Sequence, residues 1–124
     1  MTQRKSQADH DRMIGEVVSF LREKGYGEIR ADLPDFEHPE EIVWRATGRG
    51  EVPDVTARST SFIVVEVETE DTIEDAHTTE QWRLFSEHAR EVRGEFFVVV
   101  PKGFMAHAWR RLKLLGLEAN VWEI

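Results

Sequence analysis

Three acidic residues stand where carboxylates are costly. Glu66 and Glu68 lie inside the run Phe62-Ile63-Val64-Val65-Glu66-Val67-Glu68, and Asp54 follows Pro53 at the head of an earlier extended stretch. Side chains alternate faces along a strand, so Glu66 and Glu68 share one side while Val65 and Val67 share the other. Two carboxylates in an apolar run are expensive to desolvate unless something neutralises them. A hard divalent cation does so readily, because it takes oxygen ligands from Asp and Glu. The bland alternatives are a turn acid after a proline for Asp54 and the wet side of an edge strand for the glutamates. Residues 62–65 alternate too little for a wet strand, which favours a buried acidic cluster.

The elements that must position these groups follow from periodicity. Met13, Ile14, Val17, Val18 and Leu21 recur at helical spacing, and Gly25 stops that helix. Residues 29–33 read as a short strand and 42–46 as another short strand or an ordered loop carrying Trp44, separated by the proline-rich, acidic stretch 34–41, and Gly48-Arg49-Gly50 reads as a turn. Residues 52–57 and 62–69 read as a hairpin. Thr78-Thr79-Glu80-Gln81 has the form of a capping box, starting a helix that buries Trp82, Phe85 and Ala89. Residues 96–100 are a continuous apolar run, expected of a strand covered on both faces. Phe104, Ala108, Leu112 and Leu115 form another helical stripe, Gly116 caps it, and residues 119–124 make a last strand. A second half of β-α-β-α-β type predicts an α/β domain whose mixed sheet has a parallel part flanked by helices.

At 124 residues the chain suits a single domain, with residues 1–8 expected to be flexible. It has no cysteine, which excludes thiolate zinc sites and fits a reducing, cytoplasmic setting. No segment has the apolar length of a membrane span, and the N-terminus lacks a signal-peptide core. The net charge of -8 counts against a module that binds nucleic acid by charge alone, yet leaves room for a cation-dependent enzyme.

Pro53-Asp54, then Glu66-Val67-Glu68, then a helix carrying Gln81-Trp82-Arg83-Leu84-Phe85 together resemble the PD-(D/E)XK nuclease superfamily. The last segment is similar to the Gln-x-x-x-Tyr motif of its RecB-like branch, with Phe85 in the aromatic place. The element order extends the resemblance from about Met13 to Ile124. It implies a single restriction-endonuclease-like domain that hydrolyses phosphodiester bonds of nucleic acid with Mg²⁺ (or Mn²⁺) and that could form a homodimer. Carried over by position, Asp54 and Glu66 would hold the metal with the Val67 carbonyl, and Glu16 on the first helix could add another acid. Gln81 would stand on the catalytic side. Glu68 occupies the place of the family's lysine and reverses its charge, so it would act as a base or second-metal ligand, or else mark lost catalysis.

Other residues divide between function and packing. Trp82, Phe85, Trp109 and Trp122 read as core or interface, while Trp44, in a charged loop, is either a docked lid or a stacking contact. The five histidines show no zinc-ligand spacing. His77 follows the acidic stretch 69–76, which could form the mouth of a site. Arg49, Arg58 and Arg83 are candidates for a basic group replacing the lysine. Three functions remain open: a metal-dependent nuclease, an inactive nuclease-fold binding module, or a structural subunit whose acids pair with Arg45, Arg49 or Arg58.

Overall fold

Helix α1 (Gln7–Glu23) buries one stripe, Met13, Ile14, Val17, Val18 and Leu21, and leaves Phe20 at its margin. It ends in a Schellman turn: Gly25, at φ +83°, donates to the Arg22 carbonyl, and Tyr26 donates back to Leu21. Only a residue at ease with positive φ closes a helix this way. The computed structural model describes residues 7–124. The flexible leader expected over residues 1–8 thus lies mostly outside the described residues, and its last two, Gln7 and Ala8, open α1.

Beyond α1 come β1 (Gly27–Ala31), β2 (Ile42–Val43), β3 (Gly50–Glu51), β4 (Val55–Arg58) and β5 (Phe62–Val67). Then follow α2 (Ala76–Glu91), β6 (Glu95–Val100), α3 (Met105–Leu115) and β7 (Asn120–Glu123). The main sheet has the order β1-β4-β5-β6-β7. The β1, β4 and β5 neighbours are antiparallel, whereas β5, β6 and β7 run parallel. The chain is therefore an α/β protein with a mixed sheet. Among the described residues no helix is long and apolar enough to cross a membrane.

The sheet is covered on both faces, which explains its apolar runs. On one face α1 packs against Val55, Ala57, Ile63, Val65, Val67 and Val99. On the other, Trp82 and Phe85 of α2 and Ala108 and Leu112 of α3 pack against Val64, Phe96, Val98 and Val121. Each fully buried side chain of this kind contributes roughly 1.5–3 kcal/mol. Gly94 lets α2 turn tightly into β6, since a Cβ there would lie 2.3 Å from the Phe62 carbonyl oxygen.

Strands β2 and β3 form a separate two-stranded ribbon. Its connecting loop is pinned by two main-chain bonds, Trp44 N–H to the Arg49 carbonyl and Gly48 N–H to the Trp44 carbonyl, both 2.8 Å.

Three expectations need correction. The strand expected over residues 52–57 begins only at Val55, because Pro53 has no N–H for a ladder and Asp54 bonds sideways instead. The capping box does not form: α2 starts at Ala76 with Asp75 as N-cap, which places Thr78 and Thr79 inside the first turn. Thr78 is buried there, and the Thr79 hydroxyl accepts from Arg111 of α3 at 2.9 Å. For Trp109 the core half of the core-or-interface reading fails: it is 46 % exposed, because the buried stripe of α3 narrows to Ala108 and Leu112.

Candidate functional site

The parallel strands β5, β6 and β7 end at one edge of the sheet, where open α/β sheets commonly place ligands. Strand β4 runs antiparallel to β5, so its start lies at the same edge, and the pairing of Val55 with Val65 sets Asp54 beside Glu66. The Asp54 N–H donates to Glu66 Oε1 at 2.9 Å, and the Val67 N–H donates to Asp54 Oδ2 at 2.8 Å. His10 reaches over from the first turns of α1, its Nε2 sharing a hydrogen bond with the same Asp54 oxygen at 3.2 Å. Asp54, Glu66 and His10 are all buried.

Glu66 carries the electrostatic stress of this arrangement. Burial, followed by the nearby charges of Asp54 and Glu68, pushes its pKa well above the ordinary carboxylate value. A side-chain hydrogen bond with Asp54 also favours the protonated form, and the bond from the Asp54 N–H opposes the shift. Among the described residues no arginine or lysine forms an ion pair with Asp54 or Glu66; Arg45 pairs instead with Glu91 and Arg58 with Glu28. The arginine-paired structural reading therefore fails for this acid pair. A proton relieves the pair at low pH, and a small cation would relieve it at neutral pH.

Glu68 shares the Glu66 side of β5, as strand alternation requires, but it is turned toward α2. Its Oε2 accepts from the Trp82 indole N–H at 3.1 Å and its Oε1 from the Thr72 hydroxyl at 2.7 Å. Those bonds hold Glu68 in a packed polar niche, where it anchors the turn after β5 to α2. Two further candidates lie elsewhere. Glu16 is on the exposed side of α1, bonded to Arg12 at 2.9 Å. Gln81 donates to Glu51 at 3.2 Å, and His77 meets the same carboxylate at 3.3 Å. Among the described residues no three His, Asp or Glu side chains are gathered as a ready-made metal cage.

The acidic stretch after β5 is partly tied down. The Thr69 hydroxyl donates to Asp71, and Glu74 pairs with His107 of α3. Thr69, Glu70 and Asp71 line a cavity of about 380 Å³ together with Asp9, Arg12 and Met13 of α1. This opening lies next to the buried acids, since Thr69 continues from β5 and Asp9 precedes His10.

His10 is the residue that sequence reasoning missed. The available signal was its position: 10, 13, 14, 17, 18 and 21 form one continuous stripe, so a histidine at 10 must turn inward. Glu16 falls off that stripe. Comparison with protein-family models, with curated proteins and with solved structures finds no match to this chain.

Proposed function

We propose that this chain is a divalent-cation-dependent phosphodiester hydrolase of PD-(D/E)XK, restriction-endonuclease-like architecture. The observation that carries the reading is the buried pair Asp54–Glu66 at the carboxyl edge of the parallel strands, bonded side by side, with His10 on Asp54 and no arginine or lysine paired to either acid among the described residues. Asp54 and Glu66 would hold the cation, with the Val67 carbonyl and His10 beside them. Carboxylate and carbonyl oxygens suit Mg²⁺, and an added imidazole nitrogen shifts the preference toward Mn²⁺. Such an ion, when bound, polarises a phosphoryl oxygen and lowers the pKa of a bound water. The chain itself contributes rigidity: the main-chain N–H groups of Asp54 and Val67 fix both carboxylates. The bonds from Trp82 and Thr72 to Glu68 fix the strand end that carries them.

One observation favours a second reading, a cation-holding binding module without turnover. Glu68 stands in the lysine position of the resemblance, and both its oxygens already accept hydrogen bonds, so it is poorly placed to act as a base. One experiment separates the two. Mn²⁺ and Mg²⁺ are titrated against the melting temperature, and labelled single-stranded and duplex oligonucleotides are incubated under the same conditions. Hydrolysis expects stabilisation by Mn²⁺ and cutting, both abolished in Glu66→Gln. Stabilisation without cutting favours the binding module, and no response to either ion sinks both.

A further inference from the structure

A cavity of about 280 Å³ is lined by Trp44, Thr47, Arg49, Glu51, Glu80 and Arg83. Its parts come from two elements: the pinned loop of the β2–β3 ribbon and the outward side of α2. Trp44 is half-buried, packed at its base against the core on the α2 side of the sheet. Both arginines are exposed, and among the described residues neither guanidinium has an ion-pair partner. Of the two acids, Glu51 is already engaged by Gln81 and His77. The combination is an aromatic platform, two uncommitted planar cations, one exposed acid (Glu80) and an ordered loop.

These are the groups that hold an unpaired nucleotide. An indole offers a face on which any base stacks, and a guanidinium matches a phosphate with paired donors. Duplex DNA buries its base faces and gains nothing from the indole. Only Val52 and Pro53 separate Glu51 in the cavity wall from Asp54, so the two main-chain positions are at most about 10 Å apart. A strand held in the cavity would have about that distance to span to the acid pair. The acidity of the chain as a whole then selects for ligands that offer base stacking as well as charge.

We infer that the Trp44–Arg49–Arg83 cavity is a binding subsite for single-stranded nucleic acid, with Trp44 stacking one base and the arginines holding the adjoining phosphates. The inference deepens the proposed function by naming its substrate class, and it rests on that reading only for what happens after binding.

The test is therefore run in EDTA, where no hydrolysis occurs. A fluorescein-labelled dT octamer, its RNA counterpart and a blunt duplex are titrated by anisotropy, and tryptophan emission is followed in parallel. Both single-stranded octamers should bind more tightly than the duplex and quench tryptophan emission. Two phosphate contacts give a slope of log affinity against log salt near −1.4, falling to about −0.7 in Arg49→Ala or Arg83→Ala. Trp44→Ala should lose roughly five- to a hundredfold in affinity. Because Trp44 also packs on the core, Trp44→Phe serves as a folded control that keeps most of the affinity and loses the quench. If the native chain binds the octamers in EDTA yet cuts nothing in Mn²⁺, the hydrolase fails and the subsite stands. The inference is overturned if the octamers do not bind, if the duplex binds equally well, or if Arg49→Glu and Arg83→Glu leave affinity unchanged.

Discussion

Replacing Glu66 by Gln tests the central electrostatic claim directly. Gln has the same shape, its carbonyl can still accept from the Asp54 N–H, and its amide can donate to the Asp54 carboxylate as a protonated Glu66 would. In the native chain the Glu66 pKa lies above its ordinary value of 4.5, so between the two values the folded state holds a proton that the unfolded state has released. That contribution to stability is fully present below pH 4.5 and is lost as pH rises through the folded-state pKa. One such proton gives a slope of up to about 1.4 kcal/mol per pH unit. The assay is urea unfolding of both proteins in EDTA from pH 4 to 8. The native chain should lose stability relative to Glu66→Gln as pH rises, and saturating Mn²⁺ should restore much of that loss. A stability difference that stays constant across the range would refute the claim that burial and neighbouring carboxylates strain Glu66.

Two other substitutions probe the frame around the acids. Glu68→Lys, which would restore the lysine of the resemblance, should cost about 3 kcal/mol or more in denaturant unfolding and give no gain in cutting over the native chain, because Trp82 and Thr72 both aim donors at that position. Gly94→Ala should cost about 1–3 kcal/mol by the same measurement, since the new methyl meets main chain and not a movable side chain.

Much of this architecture was legible in the sequence. The strands expected over 62–69 and 96–100, found at Phe62–Val67 and Glu95–Val100, are readable because a strand covered on both faces has no reason to alternate, and both are covered. The β-α-β-α-β order gave the parallel half, and the β4–β5 pairing follows from a short hairpin connection. Asp54 and Glu66 come together because that register leaves little choice. What escaped reading depended on contacts far apart in the chain. Nothing local says that the Glu68 carboxylate meets a tryptophan N–H from α2, or that Gln81 turns toward the ribbon. The hydroxyl–Gln pattern at 78–81 looked like a helix start, yet Thr78 is buried within the first turn. His10 was overlooked because its charged neighbours masked its place on the apolar stripe.

The bond from Val67 to Asp54 has one more consequence. On its other side the strand is still knitted to β6, with the Glu68 N–H donating to the Val99 carbonyl at 2.9 Å. Toward β4, however, the last rung is a side chain and not a peptide group, so the weave of the sheet terminates in the very carboxylate proposed to greet the ion. Whatever tugs on Asp54 tugs on the backbone of β5. The fabric and the reactive edge share a single stitch, and occupancy there is audible in the main chain as well as in the side chains.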